Sequence, residues 1–454
     1  MWNRLRNGVG MAVFAASLGG AAEPIPFAEN GGLKMLYDNR MYPQAITHDG
    51  TMFLVWRGSE GFPYVRSYDL AIRKFSEPRM LLEGLGLQVN ERKYRTDHHY
   101  APVIWTGNDG RLHVLFGCHG KPGTNVHLVS KRPGDIGEWE VGAEVAPLIS
   151  YPKLQRIHND GTLIYYRHKG HLGDWRYRIS PDGGLTWNGP EKIVVDMNAE
   201  PQTAKFASHA GSYNTMRVSE DGKTLHVAFI WKMEEPLPNE RYKTTLHDHT
   251  RRHNLYYFRI DLVSGKAYNR AGDELQLPLN KATADRKCLV WDTDERSAAV
   301  GPSIYLDEDE RPHLLLPVSD KTPYEGAYYF VRPEAGKWIR TQVTRTAHPF
   351  NASYLDRLPD GRFQALLVQG GGHTNSKEFN LDQYGWGDAV EVWTSDAAGE
   401  NWQRTRDLTP VAGSKYQNVK FVSDDLRRPV SGILLFYGWT HAEGSATGYL
   451  LDER

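Results

Sequence analysis

TDHHYAPVIWTGNDGRLHVLFGCHGKP, residues 96–122, is two β-rich runs around a tight turn. Val103-Ile104-Trp105 and Leu112-His113-Val114-Leu115-Phe116 flank Asn108-Asp109-Gly110, which is a β-hairpin pattern because Asp-Gly supplies the turn backbone. The unit recurs. Tyr42-Pro43-Gln44 leads through Asp49-Gly50 to Phe53-Leu54-Val55-Trp56, and Tyr151-Pro152-Lys153 through Asp160-Gly161 to Leu163-Ile164-Tyr165-Tyr166. Ser212-Tyr213-Asn214 leads through Asp221-Gly222 to residues 225–229, and Ser353-Tyr354 through Asp360-Gly361 to residues 363–367. Weaker copies span residues 301–316, which lack the turn glycine, and residues 416–437. Seven units result, spaced roughly 50–80 residues apart, each followed by more strand-like sequence.

Four-stranded sheets repeated about an axis form a β-propeller, so the expectation is an all-β, seven-bladed β-propeller of one domain. Ser180-Pro181-Asp182-Gly183-Gly184-Leu185-Thr186-Trp187 supports it, as an Asp-box turn between a blade's outer strands. SDAAGENW, residues 395–402, is a decayed copy. Both are structural and carry no chemistry. Gly448-Tyr449-Leu450-Leu451 is expected to pair with residues 33–36 and close the ring.

The 454 residues are 11% aromatic and 24% charged, with 44 Gly, 25 Pro, 13 Trp and 24 Tyr, a composition suited to short strands and turns. Arg4 and Arg6 precede a small apolar run and Gly19-Gly20-Ala21-Ala22, the layout of a secretory signal peptide cleaved after Ala22. Residues 1–22 are therefore read as a leader, residues 23–454 as the propeller, and the protein as secreted or periplasmic. The leader carries two Arg and no acid, which leaves 52 basic against 55 acidic residues, a net of −3. No basic field argues for nucleic acid. No apolar run approaches the roughly 20 residues of a membrane span. Cys118 and Cys288 specify no disulfide framework, although one long-range bridge is open to them.

In a propeller the first strand of each blade lines the central channel, so the residues opening each repeat converge at its mouth. They include Asn39, Arg40, His98, His99, Tyr151, His209, Tyr213, Asn214, Tyr354 and Asn418. A hairpin as long as that of residues 96–122 returns to the edge where it began. His99 and His119, twenty residues apart, then face one cavity. By the same geometry Tyr151 opens the next hairpin and Arg167 closes it, sixteen residues on.

Two imidazoles, a phenol and a guanidinium, with no carboxylate pair at any motif position, argue against ordinary glycoside hydrolysis. They suit β-elimination on a uronic acid. Arg neutralises the carboxylate whose neighbouring proton is to leave, and Tyr or His takes that proton or protonates the leaving oxygen. A non-catalytic glycan-binding propeller is the competing class. A sialidase-like hydrolase needs an arginine triad and a Tyr/Glu pair that the motif positions do not supply. Arg57, Arg66, Arg92, Lys93, Arg95, Lys121, His168 and Lys169 fall in or near the expected rim loops.

The H-x-x-P of His99 to Pro102, the G-x-H of Gly117 to His119, Tyr151-Pro152 and Tyr166-Arg167 resemble the seven-bladed propeller polysaccharide lyases of the BNR-repeat group. These include ulvan lyases (families 24 and 25) and the related rhamnosyl-glucuronate lyases. The resemblance implies a lyase cleaving a rhamnose- and uronate-containing anionic polysaccharide, endo- or exo-acting. It implies Tyr151 and His99 as acid and base, with Arg167 and His119 neutralising the carboxylate. His119 as both base and acid is a second division of labour. His98 adjoins His99, and the H-x-x-P spacing selects His99. Substrate-binding candidates are Asn39, Arg40, His98, Tyr213, Asn214 and Tyr354. Some of these lyases carry structural zinc or calcium, for which His209, His253 and Cys288 are the candidate ligands; catalysis needs no cofactor. No membrane or nucleic-acid partner is expected, and the protein is read as a monomer.

Overall fold

The computed structural model describes residues 22–32, 41–197, 210–233, 252–320, 325–371 and 387–454, apart from positions 88, 90, 98, 171, 294–295, 299–300, 349, 427 and 440–443. The expected leader lies outside them except for Ala22. All seven expected hairpins are present among the described residues. Ala45–His48 pairs with Thr51–Arg57, Val103–Thr106 with Arg111–Phe116, and Ile149–Arg156 with Thr162–His168. Ala210–Val218 pairs with Thr224–Met233, and Ser303–Leu306 with Pro312–Ser319. Ser353–Arg357 pairs with Phe363–Gln369, and Lys415–Asp424 with Arg428–Trp439.

Each hairpin forms the inner half of an antiparallel array that grows outward in chain order. In the third array, Trp175–Ser180 and Lys192–Val195 follow the hairpin. The fourth array is larger, carrying extra short strands and the helix Lys281–Lys287. One nine-stranded sheet joins the first and last arrays through two parallel residue pairs, Ile46↔Ser423 and Thr47↔Asp424. Divided at that seam, the described strands make seven units, consistent with seven blades.

The ring closes differently from expectation. Ala446–Asp452 pairs antiparallel with Ile25–Gly31, setting Leu450 opposite Ile25 and Gly448 opposite Ala28. Residues 33–36 lie outside the described set. Pro24 and Pro26 hide this strand in the sequence, and an outermost strand tolerates proline because one edge needs no ladder donors.

Burial falls outward within a unit. In the third, Ile149–Arg156 is buried at every position, Trp175–Ser180 mixes buried with part-exposed residues, and Lys192–Val195 begins exposed. Doubly covered inner strands thus need no alternation, while outer ones face water on one side. First strands line the central channel, through Lys153, Met216, Arg217, Tyr354 and Lys420. Among the described residues no helix is long and apolar enough to cross a membrane.

The Asp-box clamps neighbouring units. Asp182 Oδ1 accepts from Ser180 Oγ at 2.7 Å and Thr186 N at 2.9 Å, while Asp182 Oδ2 accepts from Thr186 Oγ1 at 2.6 Å. Trp187 is buried, and Trp105 of the preceding unit donates Nε1–H to Gly183 O at 3.0 Å. The decayed copy keeps the scheme, with Asp396 Oδ1 accepting from Glu400 N at 2.9 Å and Trp402 packing 5.5 Å from Phe330 of the previous unit.

Candidate active site

The site forms where the second and third units meet. The second hairpin ends at Phe116, and Gly117 follows with φ +74°; a Cβ there would lie 2.0 Å from Thr124 O. Glycine is thus required where the chain leaves the ladder, which accounts for the G of G-x-H. Beyond the turn, His119 makes an antiparallel bridge to Ser150 and Gly120 N donates to Ile149 O at 2.7 Å. The G-x-H segment is thereby stitched to the first strand of the third unit.

That strand is irregular where it matters. Ser150 lies opposite Arg167 and Lys153 opposite Tyr165, so the register slips across Tyr151-Pro152. Tyr151 has φ +56°, a left-handed conformation disfavoured for a bulky residue and typical of strain held at functional sites. The irregularity re-aims the Tyr151 side chain out of the regular alternation.

The four motif residues come together. The His99 and His119 rings stack with centroids 3.7 Å apart and planes at 17°. Tyr151 lies 5.8 Å from the His99 ring, and the Arg167 guanidinium carbon sits 4.7 Å over the Tyr151 ring. Arg167 and Tyr151 are fully buried, whereas His119 keeps 15% of its side chain exposed. The group is a buried cation–aromatic floor with imidazoles at its rim.

Asp97 joins the two histidines and was not among the sequence-derived candidates. Its Oδ1 accepts from His99 Nδ1 at 2.7 Å, and its Oδ2 from His119 Nδ1 at 2.7 Å; Lys121 Nζ is 3.4 Å from Oδ2. Burial opposes ionisation of this carboxyl. The hydrogen bonds from His119 and His99 outweigh it and hold Asp97 far below the usual carboxylate range. Its position two residues before His99 was the available signal. Among the described residues this trio is also the group whose ligating atoms approach within 4.8 Å. Ligands bound at about 2.0–2.1 Å around a tetrahedral ion stand about 3.3 Å apart. The 2.7 Å separations are those of charge-assisted hydrogen bonds instead.

The other candidates divide. Tyr213 belongs to the cluster, its ring 5.8 Å from Tyr151, with the Arg167 guanidinium at 5.3 Å. Arg252, which no motif marked, lies 4.2 Å over the same ring. Asn214 faces elsewhere, donating its amide to the Tyr165 hydroxyl at 2.7 Å. Tyr354 lines the central channel, 5.5 Å from Phe421. Asn39, Arg40, His98 and His209 lie outside the described residues. Arg57 and Arg66 are not rim contacts: their guanidinium groups reach the carbonyls of Tyr94 and of Ser76 and Phe27.

His253 and Cys288 do not fit one metal ion. Tyr257 N donates to Cys288 O at 2.9 Å, which aligns Cys288 with a position four residues along the strand from His253. At about 3.3 Å per residue that offset is about 13 Å, against the few ångströms between co-ligands. Cys288 caps the Lys281–Lys287 helix, and burial pushes its thiol up to about 12. Both cysteines are free and buried, so the long-range disulfide is absent.

A sequence profile described as a BNR repeat-containing family member matches residues 66–346, more than half of the chain. The chain belongs to the BNR repeat-containing family. This BNR-repeat chain is 27% identical over 313 residues to an ulvan lyase of Nonlabens ulvanivorans, covering 64% of this chain and 62% of that protein. It is 28% identical over 294 residues to Ulvan Lyase-PL25 of Pseudoalteromonas sp. (strain PLSV), covering 61% and 57%. The match thus spans about three fifths of the length of these relatives. Among solved structures, a PL25 ulvan lyase bound to -[GlcA(1-4)Rha3S]- superposes with a TM-score of 0.71 at 19% identity, covering 96% of both chains. Polysaccharide lyase Uly1 gives 0.63 at 14% identity, covering 91% of this chain and 90% of that one. Those two likenesses establish a shared fold.

Proposed function

We propose that this protein is a polysaccharide lyase that cleaves a rhamnose- and uronate-containing polymer such as ulvan by β-elimination. The observation that carries the reading is the meeting of a buried Arg167–Tyr151 floor with the stacked His99/His119 pair at its rim. Relatives named ulvan lyase support it. Arg167 and His119 receive the uronate carboxylate, offsetting the charge that builds as the adjacent C5–H bond breaks. His99 or Tyr151 takes the C5 proton. The C5–H electron pair forms the C4=C5 double bond, the C4–O bond breaks, and the other of the two groups protonates the departing oxygen. No metal is needed for these steps, since the carboxylate charge is met by side chains.

The test is incubation with ulvan and with a panel of other uronate polymers, followed by ultraviolet absorbance of the conjugated unsaturated uronate. Product from a uronate polymer supports the reading. Saccharide binding without unsaturated product from any of them would identify a glycan-binding propeller instead. We further propose that the protein acts as a monomeric single-domain propeller exported with cleavage after Ala22. The ring-closing strand Ile25–Gly31 begins just beyond that bond, so cleavage leaves the closure intact. N-terminal sequencing of exported protein and light scattering check these two points.

A further inference from the structure

Asp97 follows the short helix Glu91–Thr96, with its N–H donating to Lys93 O at 2.8 Å. A carboxylate at a helix C-terminus has the wrong sign for the backbone dipoles, so other groups must favour its charge. They are His99 and His119, with Lys121 at 3.4 Å. Only 11% of the Asp97 side chain is exposed. Oδ1 takes both the His99 Nδ1–H, at 2.7 Å, and the His99 backbone N–H, at 3.1 Å; Oδ2 takes the His119 Nδ1–H. An ionised carboxylate can only accept, so each ring must carry a proton on Nδ1. Both Nε2 atoms then lie on the ring edges away from Asp97. Separate oxygens for separate rings also fix the 3.7 Å stack.

We infer that Asp97 is a positioning residue for the elimination, locking His99 and His119 as paired Nδ1–H imidazoles whose Nε2 atoms are presented to the substrate. This rests on the lyase reading. An amide in its place has one accepting and one donating end. In Asp97→Asn, therefore, one ring keeps its Nδ1 proton while the other is driven to the Nε2–H tautomer, with Nδ1 accepting from the amide.

The experiment compares the full chain with Asp97→Asn and Asp97→Glu. Expected for Asp97→Asn is a kcat lower by about 10²–10⁴-fold, as when the orienting partner of a catalytic imidazole is lost. KM should move by less than about threefold, and Asp97→Glu should recover part of kcat. Nitrogen-15 spectra should show both wild-type rings protonated at Nδ1 and one of them switched in Asp97→Asn. A kcat within about threefold of wild type in Asp97→Asn would overturn the inference. So would wild-type rings without a proton on Nδ1, or a variant with lower Tm and higher KM at unchanged kcat, which marks a purely structural role. If the wild type releases no unsaturated uronate from any polymer, the lyase reading fails. The ring spectra then still decide whether Asp97 locks the tautomers.

Discussion

The proposed mechanism gives Tyr151 and Arg167 separable jobs. Tyr151→Phe keeps the ring that packs against Arg167 and His99 and removes only the hydroxyl. The expected outcome is a kcat lower by about 10²–10⁴-fold with Tm almost unchanged, read by product absorbance and thermal melting. Arg167→Lys keeps the charge but loses the planar fork that grips a carboxylate at two points. It should lower kcat by about 10²-fold or more. A fully active Arg167→Lys would remove the guanidinium from the mechanism. Asp97 also predicts an acid response. Its folded carboxyl titrates below the unfolded one, so its contribution to stability is full above the unfolded value near pH 4 and is lost as pH falls further. The stability gap between wild type and Asp97→Asn, from denaturant titrations, should therefore shrink as the pH falls below about 4. The four motif residues were legible because hairpin length alone returns its ends to one edge. Asp97 was not, since it lies just outside the ladder and its role follows from two rings that meet only after folding.

At the scale of elements, the Asp-box was legible from spacing because its contacts lie within eight residues of chain. The slip at Tyr151-Pro152 was not, since strand pairing decides it and Y-P reads equally well as a regular opening. His253 and Cys288 failed for a related reason: their chemistry suits zinc, but register sets them four residues apart along a ladder. The Asp-box yields a stability prediction with no bearing on chemistry. Gly184 has φ +107°, and a Cβ there would lie 2.4 Å from Trp105 Nε1 in the neighbouring unit. Gly184→Ala should cost about 2–4 kcal/mol through backbone strain and overpacking, read as a lower denaturant midpoint. Activity per folded molecule should match wild type. An undiminished midpoint would mean that the two units do not meet tightly at this turn.

For the whole molecule, the repeat count made the ring legible, because seven hairpins with outer strands have few ways to bury their inner faces other than around an axis. How the ring closes was not legible, because the closing strand is edged by prolines and pairs across almost the entire chain. Phe27 anchors that closure. It is buried, edge-on to Trp56 of the first unit at 5.8 Å and to Tyr437 of the last at 5.8 Å. Phe27→Ala removes contacts to both sides of the seam and should cost about 3–5 kcal/mol. The candidate site lies between the second and third units, so product formation per folded molecule should persist at low temperature. Truncation sharpens the same point. A chain lacking residues 1–22 keeps the strand Ile25–Gly31 and should melt as the full-length chain does. One lacking residues 1–31 leaves Ala446–Asp452 with an open edge, which invites pairing between molecules. It should melt at a lower temperature and self-associate in light scattering. Equal melting of the two truncations, with the same size in light scattering, would show that this strand does not hold the ring shut.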